Sequence, residues 1–275
     1  MTSTGGTRRP GQRSLEEVVR EQTQENLQVY AASPTRVDED AAQEMNLAHG
    51  GYGRRQLLEL VQNGADAMIP SPGGRIEVVL TDEYLYCAND GDPVTENGIR
   101  SLLHAYLSDK RGAEIGRFGL GFKSVLGVTD KPEFYSRPVS FGFDAAWSHK
   151  HIAQVAPERE RYPTLRVAQL IDLEKACAAD PLLADLMAHG TTTVVRLPRN
   201  ISGSAWLSDD IRSFDPAFML FSPHVGELIL SDKTTGLHRE IELSQAGDEV
   251  TLKEGENSRL WHVFSSRIQP SPDLR

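Results

Sequence analysis

The stretch "GRFGLGFKS", Gly116 to Ser124, raises the question of fold because it places three glycines, a lysine and a serine within nine residues. Glycines tolerate a positive φ and let backbone amides approach a ligand closely, and a helix that starts there attracts anions. The stretch therefore predicts either a phosphate-binding loop or a tight turn.

Two familiar phosphate loops do not fit the spacing of this stretch. A P-loop requires Gly-Lys-Ser/Thr, but Phe122 separates Gly121 from Lys123, and a polar linker instead of a strand leads into the stretch. A dinucleotide-binding fingerprint requires a third glycine where Ser124 stands. If the stretch binds phosphate, it does so in another kind of fold.

A second segment, "ELVQNGADA", carries three polar residues at helical spacing. Glu59, Asn63 and Asp66 stand at i, i+4 and i+7, so they share one face of a helix. An amide oxygen can bind a divalent cation, while a neighbouring carboxylate can orient or deprotonate a water. A solvated polar face produces the same pattern, so the spacing alone leaves both interpretations open.

These two segments, together with "CANDGDPV" (87–94) and "GTTTVVRLP" (190–198), stand in an order that resembles the GHKL ATPase superfamily. The resemblance implies the Bergerat fold, an α/β (α+β) two-layer sandwich in which a mixed, mainly antiparallel sheet is covered by helices on one face. The downstream segment "FSPHVGELILS" and the β-rich stretch after it look most like the chaperone and sacsin-like branch.

The resemblance implies an ATP site with Mg²⁺ as its metal. Glu59 would be the general base that activates the attacking water, and Asn63 would coordinate the Mg²⁺ that bridges the phosphates. Asp66 would support the adenine pocket, and Thr191 would join the water-mediated network around adenine.

The glycine motif would contact the phosphates, largely through its backbone. The residues that the resemblance assigns to it are Gly116, Arg117, Phe118, Gly119, Leu120, Gly121, Phe122, Lys123 and Ser124. The side chain of Lys123 either contacts a phosphate or points to solvent. The family also places a mobile lid between Pro93 and Gly116, where Ser108 and Lys110 could meet the phosphates.

The second motif departs from the family pattern, which is Asp-x-Gly-x-Gly. Setting Gly91 on the first glycine places Asn89 at the aspartate and Pro93 at the second glycine. Asparagine can accept the adenine hydrogen bond, but a charge-assisted bond is typically about 1 kcal/mol stronger than a neutral one. A shift of one residue in the turn would let Asp90 serve instead, so both Asn89 and Asp90 remain candidates.

The composition agrees with an ordinary globular protein. The 275 residues include 39% hydrophobic and 25% charged residues, without an apolar run long enough to span a bilayer. Two distant cysteines, Cys87 and Cys177, favour a reducing, cytoplasmic location. The formal net charge of -10 argues against broad, non-specific attraction to nucleic acid.

The expected organisation has three parts: a tail and helical arm (1–35), the ATP-binding domain (36–200) and a small β-rich extension (201–275) that leads into a further C-terminal region. Periodicity predicts helices at 14–33, 38–51, 54–69 and 96–107. Alternation predicts a hairpin of two strands at 75–88, which ends at the turn "NDGDP", and further strands at 133–143, 191–198 and 226–231. The charged segment 148–165 is expected to be a surface loop that carries His149 and His151 as a solvated pair.

Two functions of different classes follow from these observations. The first is Mg²⁺-dependent binding and slow hydrolysis of ATP, driving a conformational change in a larger, chaperone-like protein. The alternative is a nucleotide-responsive binding module with little or no turnover. A DNA-acting ATPase like MutL or a topoisomerase is disfavoured by the acidic charge. The expected partners are further domains of the same chain, a client protein or, by analogy, a second copy in a nucleotide-dependent dimer.

Overall fold

The computed structural model describes residues 13–49, 55–104, 121–200 and 206–264, which form a mixed α/β structure around an open, mostly antiparallel sheet. The helices are α1 (Leu15–Ala32), α2 (Thr35–His49), α3 (Gln56–Asp66), α4 (Glu96–Leu103), α5 (Ala145–Val155), α6 (Leu173–Ala179), α7 (Pro181–Ala188) and α8 (Leu207–Ser213), with the 3-10 helices η1 (Gly121–Gly127) and η2 (Pro216–Phe221). The strands are β1 (Gly74–Leu80), β2 (Tyr84–Asn89), β3 (Glu133–Ser136), β4 (Val139–Gly142), β5 (Gln169–Leu170), β6 (Thr193–Pro198), β7 (Val225–Asp232), β8 (Leu237–Ala246), β9 (Glu249–Glu254) and β10 (Asn257–His262).

The strands of the described residues pair in the order β10-β9-β8-β7-β1-β2-β6-β3-β4-β5. The predicted hairpin at 75–88 is confirmed as β1 and β2, which pair antiparallel from Ile76↔Asn89 to Leu80↔Leu85. Strand β7 runs parallel to β1, so β7–β10 continue the same sheet that carries the first motifs. The sheet is therefore mixed and mainly antiparallel, as predicted, while the three-part division of the chain stays a prediction.

The larger core lies between one face of the sheet and the helices that include α1, α3, α4 and α8. Alternate strand residues, such as Val78 on β1 and Cys87 on β2, point into it and are at most 2% exposed. From α3 it receives Leu60 and Val61. Each large apolar side chain buried in this way stabilises the fold by roughly 1.5–3 kcal/mol. This core fixes α3 on the sheet.

A smaller core covers the opposite face of the sheet. Leu183 and Leu186 of α7 pack against Tyr86, Tyr135 and Val194 on the strands. The prediction that helices cover one face only is therefore wrong, because α6 and α7 cover part of the second. Both helices begin at an aspartate whose side chain accepts a hydrogen bond from the third helical amide, Asp172 for α6 and Asp180 for α7.

The segment 148–165 is not simply the surface loop that was expected, because its first half belongs to α5. Asp144 caps this helix by accepting a hydrogen bond from the amide of Trp147. The ring of His149 stacks on Tyr162, and Nδ1 of His151 lies 2.8 Å from the carbonyl of Trp147. The two histidines therefore lie on a helix and not in a loop, with His149 exposed to solvent and His151 half-buried.

No helix among the described residues combines the length and the apolar character that crossing a bilayer requires. The cytoplasmic location stays a prediction.

Arg196 on β6 connects several polar residues at the smaller core. Its guanidinium donates to Glu133 Oε2 at 2.5 Å, to Asp180 Oδ2 at 2.6 Å and to the hydroxyl of Tyr135 at 2.7 Å. It also lies 5.0 Å from the ring centroid of Tyr84. One cation thus connects the cap of α7 to strands β3 and β6.

We expect Arg196→Met to lower the free energy of unfolding by about 3 kcal/mol, because Glu133 and Asp180 would lose their common cation in a largely buried position. The control is Arg212→Met, which removes an exposed pair with Asp209 and should cost less than about 0.5 kcal/mol. Urea unfolding measures both. Equal losses would show that the Arg196 network does not stabilise the sheet.

Candidate functional site

Helix α3 lies close to the sheet because Gly64 faces it. A Cβ added at Gly64 would stand 3.3 Å from Cδ1 of Ile76 and 3.6 Å from Cβ of Asn89. Leu60, Val61 and Ala65 are buried, whereas Glu59, Asn63 and Asp66 are partly exposed. The predicted helix is confirmed, and its polar residues lie away from the apolar core.

The end of the glycine motif lies directly against Glu59. A Cβ added at Gly121 would overlap the carboxylate of Glu59, so any other residue at this point would force the Glu59 side chain to move. Helix η1, which begins at Gly121, is also bonded to α3, because Nε2 of the buried Gln56 donates to the carbonyl of Ser124 at 3.0 Å. Two segments that were predicted to form one site therefore meet in the fold.

The rest of the glycine motif can be placed only in part. Lys110, Gly116, Arg117, Phe118, Gly119 and Leu120 lie outside the described residues, as does Ser108. Phe122 packs into the larger core at 8% exposure. Ser124 is buried, and its Oγ has no hydrogen-bond partner among the described residues. An unsatisfied buried hydroxyl is costly, so Ser124 fits a position that a further polar group completes.

Lys123 is buried at 1% exposure, which excludes the alternative that its side chain points to solvent. Its Nζ donates to the carbonyl of His104 at 3.0 Å. Burial lowers the pKa of the Lys123 ammonium to about 8, the charge of Arg166 lowers it as well, and the carboxylates of Glu44 and Asp40 oppose that shift. Its contact with phosphate stays a prediction, and its observed hydrogen bond is to the backbone.

Asn89 ends β2 on the same face of the sheet as α3. Leu85 and Cys87 point into the larger core, and alternation places Asn89 with them. It is 7% exposed, and its Oδ1 accepts a hydrogen bond from the amide of Gly91 at 3.2 Å. The carbonyl of Asn89 accepts a hydrogen bond from the amide of Thr192 at 2.9 Å. This bond joins the second motif to the fourth.

The side chain of Asp90 lies at the start of β1. Its Oδ1 accepts the backbone amide of Arg75 at 2.7 Å, and a Cβ added at Gly74 would overlap this carboxylate. The carboxylate of Asp90 is therefore engaged at the start of β1. Of the two candidates for the adenine contact, the structure places Asn89 beside α3, although the contact itself stays a prediction.

The fourth motif brings two threonines to this end of the sheet. Thr191 is 3% exposed, and its carbonyl accepts Nε of Arg137 at 3.0 Å. Thr193, which the sequence reasoning did not select, pairs with Asn89 across the sheet, and its Oγ1 lies 3.1 Å from Oγ of Ser136. Alternation from Val195 would have identified Thr193, because both point to the face that carries α3.

Asp66 lies at the other end of α3, beside His224. Partial burial lowers the pKa of the His224 imidazole, while the charge of Asp66 and a hydrogen bond involving the backbone of Ala65 oppose the shift. The carbonyl of His224 accepts the amide of Gly73 at 2.7 Å. His224 was not predicted, because it comes from the distant turn between η2 and β7.

The Mg²⁺ ligand that the sequence predicts is Asn63, a partly exposed residue of α3, and this role stays a prediction. The described residues contain no group of three or more His, Cys, Asp or Glu that could hold a metal ion. Mg²⁺ typically keeps several waters and binds substrate phosphates together with one or two protein ligands. The residues present fit such an ion as part of a nucleotide complex, and they do not form a cage of their own.

Gly91 fixes the turn after β2 against the end of α3. A Cβ added there would stand 2.6 Å from the carbonyl oxygen of Ala67, and the amide of Asp92 donates to the same oxygen at 2.8 Å. We therefore expect Gly91→Ala to cost about 1–3 kcal/mol in the free energy of unfolding, because backbone atoms must separate.

The control for this variant is Gly98→Ala on α4, where the added Cβ would lie 3.3 Å from a side-chain methyl of Val94. Alanine is favoured in helices, so this substitution should be neutral or slightly stabilising. Chemical denaturation of both variants measures the difference. A Gly91→Ala protein as stable as Gly98→Ala would refute the close packing of the turn.

The chain is similar to Protein NO VEIN of Arabidopsis thaliana, with 27% identity over an alignment of 229 residues that covers 78% of this chain. The match covers 8% of the plant protein, so the chain spans a small part of that relative's length. No family model matches the chain. The similarity is distant, and it concerns a segment of a much longer protein.

Proposed function

We propose that this chain is a GHKL-type ATPase domain with a Bergerat fold, which binds Mg²⁺ and ATP and hydrolyses ATP slowly. The contact between Gly121 and the carboxylate of Glu59 carries the proposal. It brings the end of the glycine motif to the one residue that the motif resemblance implies as general base. The mixed, mainly antiparallel sheet is consistent with such a fold.

In the proposed reaction Glu59 orients and deprotonates the attacking water, because its carboxylate lies at the start of η1, where the phosphates would bind. Asn63, one helical turn further along α3, offers its amide oxygen to Mg²⁺. Backbone amides at the start of η1 would hold the phosphates, because the first amides of a helix favour anions. Ser124 supplies a hydroxyl that has no partner among the described residues.

The adenine end of the proposed site lies where β2, β6 and the end of α3 meet. Asn89 offers Oδ1 as an acceptor, although that atom already accepts the amide of Gly91. Carbonyl oxygens have two lone pairs, so a second hydrogen bond is available. Asp66, Thr191 and Thr193 complete a polar surround for a base.

A second candidate function uses the same site without turnover. Asn89 favours this function because it lacks the charge that the family pattern supplies at this position. The hydrogen bond that we expect to the adenine amino group is therefore weaker. The chain would then be a nucleotide-responsive binding module. The two candidates share a ligand and differ in whether phosphate is released.

The wider role that we propose is a conformational cycle within a larger, chaperone-like protein of the sacsin type. The similarity to a small part of a long plant protein is compatible with a domain that works alongside others. Further domains, a client protein or a second copy of the chain are the proposed partners, and the cytoplasm is the proposed location.

We expect Glu59→Ala to abolish phosphate release and to leave Mg²⁺-ATP affinity within about threefold, because the general base acts on water and not on binding. Asn63→Ala should weaken ATP binding in the presence of Mg²⁺ and have little effect in EDTA. Isothermal titration and a phosphate-release assay measure these quantities.

The matched control is Glu16→Ala, which removes an exposed carboxylate of α1 whose nearest cation, on Arg20, is 3.5 Å away. It should change neither quantity. Unchanged phosphate release in Glu59→Ala would exclude Glu59 as the base. ATP binding without release in the wild type would select the binding module over the ATPase.

We expect Asn89→Asp to tighten ATP and ADP binding about fivefold, because a carboxylate accepts the adenine amino group more strongly than an amide. Asp90→Asn should leave affinity unchanged, since Asp90 is bonded to the amide of Arg75. Titration with both nucleotides measures the effects. The opposite result, with a loss only in Asp90→Asn, would show that Asp90 contacts adenine.

A further inference from the structure

We propose that Lys123 is a positioning residue: it fastens helix η1 to the end of α4 and thereby holds Gly121 against Glu59, instead of contacting phosphate. The inference rests on the proposed function, because its consequence is for nucleotide binding at Glu59. It differs from what the glycine motif suggests, since a lysine beside glycines is ordinarily taken as a phosphate ligand.

The C-terminal end of α4 is capped by two buried cations. Nη1 of Arg166 donates to the carbonyl of Leu103 at 3.0 Å, and Nζ of Lys123 donates to the carbonyl of His104 at 3.0 Å. Helix C-termini carry partial negative charge, so cations stabilise them, most strongly where water is scarce. The charge of Lys123 thus stabilises a backbone carbonyl at the end of α4.

Two carboxylates of α2 balance these cations. Asp40 lies 3.2 Å from Nε of Arg166 and accepts the hydroxyl of Tyr30 at 2.7 Å. The oxygens of Glu44 accept two backbone amides of the 164–165 segment, at 2.6 and 2.9 Å. We call Asp40, Glu44, Lys123 and Arg166 the buried charge cluster. Its balance matters because an uncompensated buried charge is strongly destabilising.

The buried charge cluster acts on the candidate site through η1. Gln56 bonds the carbonyl of Ser124 on the α3 side, while Lys123 bonds the carbonyl of His104 on the α4 side. These two hydrogen bonds, together with its packing in the larger core, hold η1, and Gly121 is its first residue. A change in the cluster should shift Gly121 relative to Glu59 without touching either residue.

The test of this inference first unbalances and then rebalances the charges of the buried charge cluster. Lys123→Met leaves Arg166 facing two carboxylates, and Asp40→Asn added to it restores one charge of each sign while keeping an acceptor for Tyr30. Lys123→Met also removes the bond to the carbonyl of His104. Positioning predicts that Lys123→Met weakens Mg²⁺-ATP binding about tenfold and that the double variant recovers the part of the loss that comes from the unbalanced charge. A phosphate contact predicts that the double variant binds as weakly as Lys123→Met, and this result would overturn the inference.

Two further variants keep the test decisive if Lys123→Met unfolds. Asp40→Asn alone retains the lysine but unbalances the buried charge cluster. Positioning therefore predicts weaker Mg²⁺-ATP binding, whereas a phosphate contact predicts unchanged Mg²⁺-ATP binding. The control is Lys131→Met, which removes an exposed lysine paired with Asp144 at 2.9 Å and should change nothing. Unchanged binding in Asp40→Asn would contradict positioning.

Amide hydrogen exchange of residues 121–127 without nucleotide separates this inference from the proposed function. If the wild type does not bind Mg²⁺-ATP, the proposed function fails, and exchange alone decides the role of Lys123. Faster exchange in Lys123→Met, partly restored by adding Asp40→Asn, supports positioning. The same exchange rates in wild type and both variants would refute it.

Discussion

The candidate site depends on the contact between the backbone of Gly121 and the carboxylate of Glu59. No Cβ fits between them, so a side chain at position 121 would displace the proposed general base. The contact requires α3 to lie close to the sheet, which Gly64 permits, and η1 to lie close to α3, which Gln56 secures through Ser124. The packing of α3 and η1 in the larger core therefore also determines where the candidate site lies.

The sequence predicted best what short-range periodicity controls. The helix of Glu59 and the hairpin that ends at Asn89 follow from local patterns, and both are present. Helices α6 and α7 were missed because each is at most eight residues long and depends on an aspartate cap. The burial of Lys123 could not be predicted, since it depends on Asp40 and Glu44, which the fold alone brings near it.

The two faces of the sheet use polar groups differently. On the face opposite α3, Arg196 is saturated by carboxylates and a tyrosine hydroxyl, which suits a stabilising role. On the face of α3, Ser124 keeps a buried hydroxyl without a partner among the described residues, and Asn89 keeps acceptor capacity. Buried polar groups that keep hydrogen-bonding capacity can receive a ligand, whereas the Arg196 network has its partners within the protein.

A crystal structure with Mg²⁺ and a non-hydrolysable ATP analogue tests the central claim most directly. We expect the triphosphate between the start of η1 and Glu59, a metal bound by the amide oxygen of Asn63, and adenine beside Asn89 and Thr193. A nucleotide bound elsewhere, or no nucleotide at millimolar concentration, would contradict the assignment of this site.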